Sequence, residues 1–154
     1  MTIWSSEIRE LEKLHQSIQK THPQLDHELA RLIRTDDENI ALVYARRCLE
    51  IIILDLCEQE LKRPRGSEPL KRILDKLNRE GTVPPHIVAA MNNINSLSTF
   101  GAHPKAFDPQ QVKPVLLDLT TTLRWYLKYS ANRGISETLN KGMEPPGMAG
   151  EDPP

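Results

Sequence analysis

Residues Asp36 to Lys62 read as one long helix whose apolar residues fall into two arcs. Leu42, Ala45, Leu49, Ile52, Ile53 and Leu56 share one side, while Ile40, Val43, Ile51, Leu54 and Leu61 share nearly the opposite side. A surface helix needs a single apolar stripe, so two stripes predict a helix covered on two sides. That pattern calls for an all-α bundle of about six helices around a long central one.

The remaining helices follow from periodicity and from their start and stop residues. Ile8, Leu11, Leu14 and Ile18 recur at helical spacing, and Thr21-His22-Pro23 ends that first helix, because the residue before proline leaves the α region. Pro23 then opens a second helix carrying Leu25, Leu29, Leu32 and Ile33. Thr35-Asp36-Asp37-Glu38 supplies cap and first-turn acids for the central helix, and Lys62-Arg63-Pro64-Arg65-Gly66 stops it. Ser67 is the expected cap of a fourth helix with Leu70, Ile73, Leu74 and Leu77 inward and Gly81 as its end. A fifth helix opens at Thr82-Val83-Pro84-Pro85 and carries Ile87, Val88, Met91, Ile94 and Leu97. After a loop from Ser98 to Phe107, Asp108-Pro109-Gln110-Gln111 resembles a capping box. The sixth helix then runs to about Ser130 on Val112, Val115, Leu116, Leu119, Leu123 and Tyr126, kinked early by Pro114.

From Ala131 onward the composition changes. This stretch holds four of the seven glycines and four of the twelve prolines, without apolar period. Residues 1–130 are therefore expected to form the bundle and 131–154 a flexible Pro/Gly-rich tail or a linker to a further effector domain.

Composition excludes several classes. A net charge of −1 lacks the basic excess of a dedicated nucleic-acid binder. The longest aliphatic run, Ile51 to Leu54, is too short to span a bilayer, so no membrane contact is expected. Cys48 and Cys57 lie nine positions apart on one helix, about 14 Å along the axis, and cannot bridge each other. Two buried thiols fit a reducing cytoplasm. The five histidines show no i, i+4 pair on one helix, and no C-x-x-C occurs, so neither a metal nor a cofactor is expected.

Two polar groups stand out. Arg46, Arg47 and Glu50 face the gap between the apolar arcs, with Glu50 one turn from both arginines. An ordinary i, i+4 ion pair on a solvated strip is the bland reading. The sharper one is a ligand-binding or loop-tethering cluster shared with Asn95 and His103. Trp125 and Tyr129, one turn apart on the sixth helix, lie off its core stripe and are candidate interface anchors for a homodimer.

The segment Ala45-Arg46-Arg47-Cys48-Leu49-Glu50, continuing to Asp55-Leu56-Cys57-Glu58, and the segment Ile94-Asn95-Ser96-Leu97-Ser98-Thr99-Phe100-Gly101-Ala102-His103-Pro104 together resemble HEPN-like bacterial domains of unknown function. Those domains attach to signalling or defence modules. They carry an A-R-x-x-L-E helix followed by an I-R-x-x-G-N-x-x-A-H turn. The resemblance spans about Glu38 to Tyr129 and implies an all-α, up-and-down helical bundle, commonly dimeric. Catalytic members are metal-independent ribonucleases that pair an arginine with a histidine a few residues later. His103 matches that histidine, whereas Asn95, Ser96, Leu97 and Ser98 stand where the arginine would be. If the chain is active, His103 is the catalytic residue, but the cation for the phosphorane charge is missing from the motif. The expectation is therefore a non-catalytic, self-associating interaction or sensing module of a multidomain cytoplasmic protein. The alternatives are a degenerate HEPN ribonuclease or a small-ligand or nucleotide sensor, with RNA or a nucleotide the less favoured partner.

Overall fold

The computed structural model describes residues 5–98 and 112–142, with the side chains of 6–98 and 112–134. Among these residues it is all-helical: α1 (Ser5–Thr21), α2 (Pro23–Arg34), α3 (Glu38–Glu60), α4 (Leu70–Glu80), α5 (Pro85–Ser98) and α6 (Val112–Gly142). The all-α bundle of six helices expected from periodicity is what forms. None of the described helices is long and apolar enough to cross a membrane. The chain divides into two compact units, residues 1–124 and 125–154. The boundary falls inside α6, ahead of the one that composition suggested.

Short connections set the neighbours in the first unit. Only His22 separates α1 from α2, and the two pack together. The turn is kept helical by hydrogen bonds from His22 N to Ile18 O (2.9 Å) and from Asp26 N to His22 O (2.8 Å). His15 of α1 then meets Asp26 of α2 at 2.5 Å, an ion pair whenever the imidazole is protonated. At the next start, Asp37 caps α3 by accepting from the Ile40 amide at 3.0 Å, which satisfies one of the unpaired first-turn donors. Thr35 Oγ1 accepts from the Asp37 amide in turn (3.1 Å).

α3 packs on α2, α4 and α5, and α4 packs on α5. All of this burial falls on one side of α3. Ala41, Leu42, Ala45, Cys48, Leu49, Ile52, Ile53, Leu56 and Cys57 are buried there. The second arc is covered only in part: Ile40 is 45% exposed, Val43 37% and Leu54 37%. Ile51 and Leu61 are half-buried. The expectation of a helix packed on two sides is therefore corrected. Periodicity counts apolar residues around a helix but does not supply the neighbours to cover them.

Three boundaries also differ. α4 is capped by Pro69, without a side-chain cap bond, and not by Ser67. The chain there is held by Glu68, whose carboxylate and carbonyl are both engaged by cations described below. α6 does not end near Ser130 but continues to Gly142. No proline interrupts the chain between Pro114 and Pro145, and Gly134 alone costs a helix only about 1 kcal/mol. The aperiodic linker expected from Ala131 thus begins with helix. Pro114 stands in the first turn of α6 as described, where a missing N–H loses no intrahelical bond. The expected capping box at Asp108 to Gln111 lies outside the described residues.

The end of α3 carries a local strain. Lys62, directly after its C-cap Leu61, has φ of +60°, a conformation that costs a side-chain-bearing residue about 1 kcal/mol. Lys62 is exposed, so little else depends on its side chain. Lys62→Gly should raise the unfolding free energy by about 1 kcal/mol in a denaturant titration. An unchanged or lowered midpoint would show that the left-handed turn is not a source of strain.

Candidate functional site

Consecutive helical residues diverge by about 100°, and this decides how Arg46 and Arg47 are used. Arg46 leans toward α5. Its Nη1 donates to Asn95 Oδ1 at 2.7 Å and to the Asn95 carbonyl at 3.3 Å. Its Nε lies 3.6 Å from Glu50 Oε1, one turn along α3. Arg47 turns the other way, placing Nε 3.0 Å from Glu28 Oε1 of α2 and its guanidinium over the Tyr44 ring at 5.9 Å. The predicted cluster is therefore split. Arg46, Glu50 and Asn95 come together. Arg47 lies within the second apolar arc and not in the gap, and joins α2 to α3 instead, and His103 lies outside the described residues.

The polar chain does not stop at Glu50. Glu50 Oε2 takes a second cation, Arg65 Nη1, at 3.2 Å. Arg65 Nε donates to the Glu68 carbonyl at 2.8 Å. The Glu68 carboxylate lies 2.7 Å from Arg63 Nη2 and 3.0 Å from Lys76 Nζ of α4. Lys76, then Arg63, hold its carboxyl below the ordinary value, against a smaller opposing effect of burial. Asn95, Arg46, Glu50, Arg65, Glu68 and Lys76 thus form a continuous network from α5 across α3 to α4.

Sequence reading missed Arg63, Arg65, Glu68 and Lys76. Its signal was present in Lys62-Arg63-Pro64-Arg65-Gly66, which served only as a helix stop. Four cations within a few residues of Glu68 were the available clue. As chemistry, the network shares two carboxylates among four cations and supplies no nucleophile with an adjacent base. Cys48 is no nucleophile either, since full burial drives its thiol pKa far up. Among the described residues no group of three His, Cys, Asp or Glu side chains could hold a metal.

The predicted interface residues lie in the second unit. Trp125 stacks on Tyr129 with ring centroids 5.2 Å apart, and Tyr126 lies 6.1 Å from Tyr129. The Arg133 guanidinium covers Tyr129 at 5.2 Å. Residues 125, 129 and 133 are each one turn apart, so their stacking follows from helical spacing. Trp125 and Tyr129 are both half-buried.

Compared with known proteins, the chain matches no family model, no curated protein and no solved structure. Its functional reading therefore rests on its own residues.

The Arg46–Asn95 contact joins positions 49 apart in sequence, and a charged donor strengthens such a bond. A double-mutant cycle of Arg46→Ala and Asn95→Ala should give a coupling energy of about 1 kcal/mol in denaturant unfolding. Additive effects would mean that water replaces this contact without loss.

Proposed function

We propose that this chain is a non-catalytic helical module that works by binding protein, including copies of itself, within a larger bacterial signalling or defence protein. The observation that carries the reading is the uncovered apolar face of α3. Ile40, Val43 and Leu54 are each more than a third exposed along one helix. Scattered surface leucines need no explanation, but apolar residues aligned along a helix mark an interaction surface.

The polar network supports the non-catalytic part. Arg46 is the cation nearest the motif position that a HEPN ribonuclease would fill with arginine. It is tied to Asn95 and paired with Glu50, so its guanidinium is already engaged where a ribonuclease would turn it to a developing phosphorane. A second reading has one observation in its favour. Arg46 Nη1 reaches Asn95, so a guanidinium of the central helix stands beside the motif segment that leads to His103. A HEPN-type ribonuclease with its arginine supplied from α3 would use that placement.

Incubation of metal-free protein with single-stranded and structured RNA separates the two. The module reading expects intact RNA. Cleavage leaving 2′,3′-cyclic phosphate ends, and lost in folded His103→Ala and Arg46→Ala variants, would establish the ribonuclease instead.

A further inference from the structure

From Val43 to Leu61 the outer face of α3 reads the same in both directions apart from its charges, and Ile40, on the same face, lies before that stretch. Going along the helix, it presents Val43, Arg47, Ile51, Leu54, Glu58 and Leu61. At 100° per residue these six fall within about 80° of arc. The pattern has a centre between Ile51 and Leu54. Reflection through that centre exchanges Ile51 with Leu54 and Arg47 with Glu58, and brings Val43 within one residue of Leu61. Apolar residues map onto apolar residues, and the cation maps onto the anion.

The geometry points to a second copy of this chain as the occupant of that face, bound antiparallel across a two-fold axis between Ile51 and Leu54. The inference rests on the interaction-module reading above and names its partner and register. A two-fold interface must be self-complementary, because each patch meets itself reversed. Here the antiparallel arrangement sets Arg47 of each copy level with Glu58 of the other, giving two opposite-charge contacts around an apolar centre. A parallel arrangement would oppose Arg47 to Arg47 and Glu58 to Glu58. Like charges placed face to face disfavour that alternative.

The side chains are available for this role. Arg47 is 58% exposed and meets Glu28 through Nε, and its guanidinium carries further N–H donors for a second carboxylate. Glu58 is exposed. Ile51 also lines an open groove with Pro23, Gln24, His27 and Glu28 of α2, into which the second copy's Leu54 would fit. The six-residue face runs for about 27 Å along the helix. A helix pair of that length, with this groove at its side, buries less than the roughly 1,200 Å² of a stable interface. The dimer is therefore weak, with a dissociation constant on the order of 10–100 μM, and tightens when copies are concentrated or tethered.

Sedimentation equilibrium of the full chain between about 5 μM and 500 μM brackets that range. Wild type should pass from monomer to dimer. Glu58→Arg alone and Arg47→Glu alone should each weaken self-association by about tenfold or more, because each homodimer then holds two like-charge contacts. Mixed in equal amounts they should form a heterodimer, because both contacts become opposite-charge pairs. Because Arg47→Glu also faces Glu28, folding of each variant is checked by circular dichroism. Leu54→Cys provides an independent probe, since oxidation should cross-link copies through position 54. A wild-type dimer unaffected by both charge variants and uncross-linked through position 54 would overturn this register and leave the interaction reading standing. A monomer throughout the range would overturn both.

Discussion

One-sided burial of α3 is the constraint on which the first unit depends. Three helices gather against the face made by Ala41, Leu42, Ala45, Cys48, Leu49, Ile52, Ile53, Leu56 and Cys57. Small residues Ala41, Ala45, Cys48 and Cys57 let neighbours approach closely, while the leucines and isoleucines fill the space between helices. Loss of any large member would open a cavity at the junction of several helices, where collapse is hardest.

The polar residues are arranged by this packing. Charges at the edge of a buried face can keep water at one end and a partner at the other. Arg46 and Glu50 lie on the α5 and α4 side of the seam, and Arg47 lies on the α2 side. Each carboxylate there answers more than one cation, Glu50 with Arg46 and Arg65, Glu68 with Arg63 and Lys76. Sharing ties the connector between α3 and α4 to both helices. Such partly exposed pairs add modestly to stability, and their main effect is to select one arrangement of the helices.

How much of this was legible in the sequence depended on whether the signal was local. The starts of α2, α3 and α5 lay at caps or prolines that act within a few residues: Pro23 at α2, Asp37 before α3 and Pro85 at α5. The inward stripes of α2, α4 and α5 were read correctly because they are single stripes on short helices. The second arc of α3 misled, since the same periodicity arises from a covered face and from an exposed face kept for a partner. The continuation of α6 past Ser130 was hidden by a composition argument, although no proline stood there to stop it. Within the candidate site, Arg46, Glu50 and Asn95 were named before their contacts were known. Arg65 and Glu68 were not, because the loop that returns them to α3 leaves no periodic trace.

An uncovered apolar helix face has a clear physical expectation, because water against aligned isoleucine, valine and leucine is costly at about 25 cal/mol per Å². In the proposed dimer a second copy on α3, and not the aromatic row of α6, removes this cost. Nuclear magnetic resonance of the amide and methyl signals across a dilution series distinguishes the two directly. Concentration-dependent shifts should concentrate on Val43, Ile51, Leu54 and Leu61, with Trp125 and Tyr129 unmoved. Shifts confined to Trp125 and Tyr129, or none at any concentration, would contradict the account.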